Sequence, residues 1–252
     1  VITGGGKGIG RAIALAFAKE GAEVVVAART EADLKRVASE IESMGRKSLA
    51  IVTDLADPEQ VRVMVDRALK RFGKVDVLVN NSGIAGPVAN VADMDLEGWN
   101  QTLAVNLTGA MLCAKYILKK DMIPRRSGNI INISSVSGRM GHAMRSPYSA
   151  SKWGLIGFTQ SLALEVGRYG IRVNCVAPGP VEGDRIERVL RAASKNLGIT
   201  YEQAVEREVA RTSLGRMVKP EEVAALAVFL ASEQSSGITG QTINCCAGLR
   251  MD

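Results

Sequence analysis

Short apolar runs recur along this chain with helix-length segments between them, and that alternation narrows the fold more than any other feature. The runs are EVVVAA from Glu23, SLAIVTD from Ser48, VDVLVNN from Val75, NIINISS from Asn129, RVNCVAP from Arg172 and QTINCC from Gln241. Runs of this kind, separated by helical crossovers, read as strands of a parallel sheet. Ahead of the first run, Ile9, Ala12, Ile13, Ala16 and Phe17 follow the i, i+3, i+4 spacing of one buried helical face. Hydrophobic residues make up 46% of the chain but aromatics only 4%, so Ala, Val, Ile and Leu must build the core, as suits a parallel sheet covered by helices. No linker or low-complexity segment interrupts the series. The expectation is one α/β domain over residues 1–252, a doubly wound parallel sheet of Rossmann type with helices on both faces. The stretch from Glu182 to Met217 is the exception, polar and helix-prone with no strand. Its place directly after APGP suggests a lid over a site. The opening VITGGG reads as the tail of a strand whose first residues are missing.

Charge and cysteine content exclude several classes of function. The 32 Lys and Arg against 26 Asp and Glu leave a formal charge of +6. No basic run exceeds two residues, the densest cluster being PRR at 124–126, so a solvated basic surface is expected and nucleic-acid binding is not. Cys113, Cys175, Cys245 and Cys246 form no CxxC pair, and His142 is the only histidine, so no metal site is expected. Two of the cysteines sit in apparent strands and read as small core residues, consistent with a reducing cytoplasm. No apolar run reaches the length of about 18 residues that a membrane span requires.

Two local patterns carry chemistry. Gly4, Gly5, Gly6, Gly8 and Gly10 lie between the opening strand and the first amphipathic helix, where a backbone turn approaches a phosphate and hands it to the helix N-terminus. In SPYSASKWG, Ser146 reads as a cap and Pro147 as the first helical residue, so Tyr148 and Lys152 stand one turn apart on one face. A phenol with a pKa of about 10 is a poor base at neutral pH. The lysine charge and the helix N-terminus both favour its phenolate. A Ser/His/Asp hydrolase built on His142 would need a nucleophile elbow such as GxSxG, and no serine here has one. His142 is expected in a loop near the pocket.

The glycine turn reads TGxxxGxG, with Thr3, Gly4, Gly8 and Gly10, and further motifs follow in order: NNSG at Asn80 to Gly83, NLTG with Asn106, NISS with Ser135, YSASK with Tyr148 and Lys152, and PG at Pro178 and Gly179. This ordered set, spread over nearly the whole chain, resembles the short-chain dehydrogenase/reductase family, in the single-domain branch similar to 3-oxoacyl-[acyl-carrier-protein] reductases. The resemblance implies hydride transfer between a nicotinamide dinucleotide and a carbonyl or secondary alcohol. It implies Tyr148 as acid/base, Lys152 as its tuner and as a ligand of the nicotinamide ribose, Ser135 as donor to the substrate oxygen, and Asn106 as holder of a water linked to the lysine. Ser134 is the rival of Ser135, but the family's serine stands thirteen residues before the tyrosine, which selects Ser135. The implied cofactor contacts are Gly4, Gly6, Lys7, Gly8, Ile9, Gly10, Arg29, Asp54, Leu55, Asn81, Gly83, Tyr148, Lys152, Pro178 and Gly179. Asp54 could equally be a loop cap.

An NAD enzyme usually ends its second strand with an acid for the ribose 2′-hydroxyl, whereas this chain has Ala28 and then Arg29, with Lys7 in the glycine loop. The two cations favour the 2′-phosphate of NADP(H), although Glu31 could turn in for NAD(H). The family's usual threonine after PG falls at Gly183, with Asp184 next to it, and its DGG near the C-terminus is replaced by Cys246, Ala247 and Gly248. Arg139, Arg145 and Arg185 flank the expected pocket and hint at a carboxylate, phosphate or sulfonate on the substrate. A 3-oxoacyl thioester and a small hydroxy acid, sugar or alcohol both remain open. So do an NAD-dependent dehydrogenase and a binding protein that senses NADP(H) without turnover. The family likeness implies a homotetramer or homodimer with the Tyr148 helix in an interface.

Overall fold

The computed structural model describes residues 1–252, apart from the side chain of Asn196. Its seven strands are β1 (Ile2–Thr3), β2 (Val24–Ala28), β3 (Ser48–Val52), β4 (Val77–Asn80), β5 (Gly128–Ile133), β6 (Ile171–Pro178) and β7 (Thr242–Cys245). They form one sheet in the order β3-β2-β1-β4-β5-β6-β7, and every pairing is parallel. Each apolar run read from the sequence supplies one strand, and the opening VIT supplies β1. The order reverses direction between β1 and β4, so the loops leaving these two strands part at the C-terminal edge of the sheet and open a crevice there.

Among the described residues, ten α-helices surround the sheet: α1 (Gly8–Lys19), α2 (Glu31–Ser43), α3 (Pro58–Phe72), α4 (Leu96–Leu103), α5 (Gly109–Ile117), α6 (Ile123–Arg125), α7 (Ser146–Val166), α8 (Asp184–Leu197), α9 (Tyr201–Val209) and α10 (Pro220–Ala231). They cover both faces, which is why the strand sequences are continuously apolar. On β2, Val25 and Ala27 join a cluster with Met64, Cys113, Ile117 and Leu162, from α3, α5 and α7. Val24 and Val26 point the other way, to Ile13, Val37, Ile41 and Leu230 of α1, α2 and α10. Ile130 and Ile131 on β5 divide in the same manner. The spaced residues of α1 meet this second cluster: Ala12 and Ile13 are buried, and Ile9, Ala16 and Phe17 pack against them partly exposed.

Local sequence sets the helix limits. At α3, the Asp57 carboxylate accepts from the backbone N–H groups of Glu59 and Gln60, Pro58 opens the first turn, and Gly73 ends the helix at φ 78°. The start of α7 differs from expectation. Arg145, not Ser146, is the cap residue, because its carbonyl accepts the first helical bond from the Ser149 N–H at 2.9 Å. Ser146 is therefore the first helical residue, its Oγ left without a partner, and Pro147 still lies in the first turn. Helices α4, α5 and α6 form one rod interrupted by π-turns at Ala104–Thr108 and Leu118–Met122. Between Glu182 and Met217 the chain forms α8 and α9 and no strand, and the two ends of this segment meet at a single bridge between Val181 and Val218.

Ile131 is fully buried in the middle of β5. Ile131→Ala is expected to lower unfolding stability by about 2–5 kcal/mol, read from urea denaturation with an unchanged m-value.

Candidate active site

The glycine turn closes the N-terminal side of the crevice. A Cβ on Gly10 would stand 2.1 Å from the Gly4 carbonyl oxygen, and one on Gly4 would stand 2.8 Å from Asn81 Nδ2, so neither position admits a side chain. Gly4 and Gly8 also take φ of 65° and 53°, in the left-handed region that glycine tolerates. Asn81 fastens the turn to the end of β4: its Nδ2 donates to the Thr3 carbonyl at 2.9 Å, and its N–H donates to Thr3 Oγ1 at 3.0 Å. Lys7 caps α1 without a side-chain bond, leaving the first helical N–H groups, those of Gly8, Ile9 and Gly10, available to an anion. Gly6 packs against Asp33 at the head of α2.

Lys7 and Arg29 are both exposed at this edge, and neither forms an ion pair among the described residues. Glu31 is held instead by Lys35, at 2.8 Å. Asp54 does act as a loop cap, its Oδ1 accepting from the Ala56 N–H at 3.0 Å. The Leu55 side chain is buried in the core against Gly109. On the far side, the Gly179 N–H donates to the Cys245 carbonyl at 3.0 Å, and a Cβ on Gly179 would meet Cys246 Cα at 2.8 Å. Pro178 ends β6 directly beside it, and Gly183 takes φ 125°. Cys246 is buried behind this contact, and Ala247 and Gly248 continue the turn at φ 52° and 78°.

Between these edges the structure brings Asn106, Ser135, Tyr148 and Lys152 together. Lys152 is only 3% exposed, and its Nζ donates to the Ile133 carbonyl at the end of β5 at 2.8 Å. The same ammonium lies 5.8 Å from the centroid of the Tyr148 ring. Burial pushes the lysine below its usual range, opposed by Tyr148 and reinforced by Arg185. Burial alone would raise the Tyr148 phenol. The charges of Lys152 and Arg185, the Ser135 hydroxyl and the charge of Arg145 together outweigh it, so the phenol lies below its ordinary value. Ser135 Oγ also accepts from the Ser137 N–H at 3.1 Å. Ser134 faces away and donates to the Lys152 carbonyl at 2.9 Å, which pins α7 to the end of β5.

Asn106 lies in the first π-turn, where the widened coil turns its amide inward. Its Oδ1 accepts from the Ile84 N–H at 2.8 Å, and its Nδ2 donates to the Ile84 carbonyl and to Ser151 Oγ, both at 3.0 Å. Ser151 in turn donates to the Tyr148 carbonyl at 2.7 Å. A Cβ on Gly83 would lie 3.3 Å from Asn106 Oδ1 and 3.4 Å from Lys152 Nζ, so glycine keeps this approach open. Ser151, Ile84 and the Ile133 carbonyl are absent from the residues named by motif: two act through backbone atoms, and a π-turn has no sequence signature.

Of the flanking arginines, Arg139 does not serve the pocket. It is spent on the chain end, donating to the carbonyls of Thr242 and Asp252, because β7 and the C-terminal turn fold back over it. Arg185 crosses the crevice from the first turn of α8 to the Gly83 carbonyl at 2.6 Å. Arg145 stacks on Tyr148 with its Cζ 4.7 Å from the ring centroid. His142 sits in the loop before α7 with Nδ1 buried and unpartnered, and burial, with help from Arg145 and Arg211, holds its pKa below the usual imidazole value. No cluster of potential metal ligands occurs among the described residues, and none of the helices described is long and apolar enough to cross a membrane.

A profile described as Enoyl-(Acyl carrier protein) reductase matches residues 4–250. The putative ketoacyl reductase 1 of the granaticin polyketide synthase from Streptomyces violaceoruber is 39% identical over 99% of this chain and 92% of its own length. Glucose 1-dehydrogenase 2 of Bacillus subtilis is 36% identical over 100% of this chain and 94% of its own. Among solved structures, a variant of actinorhodin polyketide ketoreductase with NADPH superimposes with a TM-score of 0.95 at 38% identity, covering 98% of this chain and 95% of that one. Relatives of such extent, together with the wholly parallel sheet and the glycine turn at its switch point, establish that the chain is an oxidoreductase of the short-chain dehydrogenase/reductase family.

Proposed function

We propose that the protein is an NADP(H)-dependent carbonyl reductase or alcohol dehydrogenase in which Tyr148 is the acid/base. The single observation that carries this reading is the Tyr148 ring 5.8 Å from the buried Lys152 ammonium, which bonds the Ile133 carbonyl at the end of β5. The glycine turn fits a dinucleotide, because it presents bare backbone and free helix N–H groups where any side chain would clash. When bound, the nicotinamide supplies a hydride to the carbonyl carbon, or accepts one from the carbinol carbon.

The chain's own residues handle the proton. In reduction the Tyr148 hydroxyl gives its proton to the carbonyl oxygen, and in oxidation the phenolate takes it back from the carbinol. Ser135 donates to the same oxygen as negative charge builds there. Lys152 stabilises the phenolate, and Asn106, Ile84 and Ser151 hold the passage beside the lysine in shape. Lys7 and Arg29, free of ion pairs, suit a 2′-phosphate, and Glu31, paired with Lys35, is turned to other use. The NADPH in the actinorhodin ketoreductase structure supports the same preference. We assign residues 182–217 as the lid, since Arg185 already reaches across the crevice from α8. The exposed Trp153 and Leu164 on α7 support a homotetramer or homodimer, and the free cysteines suit a reducing cytoplasm.

Tyr148→Phe is expected to bind NADPH as the wild type does, by fluorescence titration, while carbonyl reduction falls by about 10²–10⁴-fold. Near-wild-type turnover in that variant would remove Tyr148 from the chemistry. Arg29→Asp is expected to lower the ratio of kcat/KM for NADPH over NADH, chiefly through the KM for NADPH. An unchanged ratio would show that Arg29 does not read the 2′-phosphate.

A further inference from the structure

Arg145 carries a charge that no acid answers among the described residues. Its Nε is buried without a partner, its Cζ lies 4.7 Å from the Tyr148 ring centroid, and it enters no ion pair among the described residues. Arg185 acts on the same place from the opposite wall, and its charge is felt by both Tyr148 and Lys152. Three cations thus surround one phenol: Lys152 Nζ and Arg145 Cζ lie 5.8 and 4.7 Å from its ring centroid, and Arg185 reaches across the crevice. Neither Arg145 nor Arg185 forms an ion pair among the described residues. Glu187 is paired with Arg191 at 2.6 Å and Glu208 with Arg211 at 3.0 Å. Asp252 is paired with Arg250, and Asp184 is exposed at the start of α8 without an ion pair.

A half-enclosed site with excess positive charge concentrates anions, and arginine offers planar donors that match an oxyanion in two parallel bonds. The excess stands at the reacting group itself, with Arg145 over the Tyr148 ring and Arg185 on the Gly83 carbonyl. Resting on the reading of this site as a carbonyl/alcohol centre, we infer that its substrate is a short oxo or hydroxy acid. Its carboxylate, sulfonate or phosphonate group lies a few bonds from the reacting carbon, held between Arg145 and Arg185. An oxoacyl chain on a carrier has its phosphate at the far end of a long arm and leaves both guanidinium groups without an anion. His142, three residues before Arg145 and with its buried Nδ1 unpartnered, offers a further hydrogen bond on that side.

The test sets each anion against a neutral counterpart in NADPH-dependent reduction: acetoacetate against its methyl ester, 2-oxopropanesulfonate against 2-oxopropyl methyl sulfone, and 2-oxopropylphosphonate against its dimethyl ester. Wild type, Arg145→Met and Arg185→Met are compared. The wild type is expected to favour at least one anion by about tenfold to a hundredfold in kcat/KM, the worth of a charge-assisted hydrogen bond. Each variant is expected to collapse that preference through the KM of the anion while its neutral counterpart changes less. A second readout needs no turnover: the matching hydroxy acid should raise the melting temperature of the wild-type NADP⁺ complex and not that of either variant, which also shows whether the variants fold. Reduction of the neutral compounds with no anion preference would overturn the inference and leave the reductase standing. So would equal losses on acid and ester, which would make the arginines tuners of the tyrosine only. No reduction of any pair, despite tight NADPH binding, would overturn the inference and the reductase reading together.

Discussion

The arrangement depends on one buried ammonium. Removing a lysine charge from water costs several kcal/mol unless it is met by hydrogen bonds or charge. Lys152 meets the Ile133 carbonyl at 2.8 Å and the ring of Tyr148. This joins the C-terminal end of β5 to the first turns of α7, and the surrounding contacts hold the joint. Ser134 bonds the Lys152 carbonyl, Ser151 bonds the Tyr148 carbonyl, and Asn132 on β5 bonds Thr159 further along α7 at 2.8 Å. Gly138 is confined between Ser134 Oγ and the Lys152 carbonyl, where a Cβ would come within 2.6 and 2.7 Å. A phenol fixed in this way loses little orientation when a substrate arrives.

Topology explains why the crevice is where it is. The sheet changes winding direction between β1 and β4, and the loops after β1, β4, β5 and β6 all leave its C-terminal edge. The glycine turn, Gly83, Ser135 and Gly179 come from those four loops, so a parallel sheet gathers residues distant in sequence without any of them being near neighbours. Polar side chains at the strand ends, such as Asn80 with Asn132 at 2.9 Å and Thr3 with Asn81, tie adjacent loops at the same level.

Much of this was legible in the sequence, because strands buried on both faces must be apolar throughout and crossovers must be helical. The runs from Glu23 to Gln241 therefore became β2 to β7, and the glycine turn stood before a helix as its spacing required. The residues grouped by motif, from Asn106 to Lys152, lie together in the fold. Other features depend on contacts that spacing does not encode. Helix α7 begins one residue earlier than its serine suggested, with Arg145 at the cap and no side-chain bond there. Arg139 looked like a pocket residue until the C-terminal turn claimed it, and Leu55, next to Asp54 in sequence, went to the core. The π-turn that aims Asn106 has no pattern of residues to announce it.

The most direct test of the central claim is a spectrophotometric pH titration of the tyrosines in the NADP⁺ complex, wild type minus Tyr148→Phe. The chain has four tyrosines, and the difference isolates one. A single phenolate forming below the ordinary value of about 10, and moving up in Lys152→Met, is the result expected of a phenol held down by the buried lysine. A difference curve centred on the ordinary value, unmoved by the loss of Lys152, would contradict it.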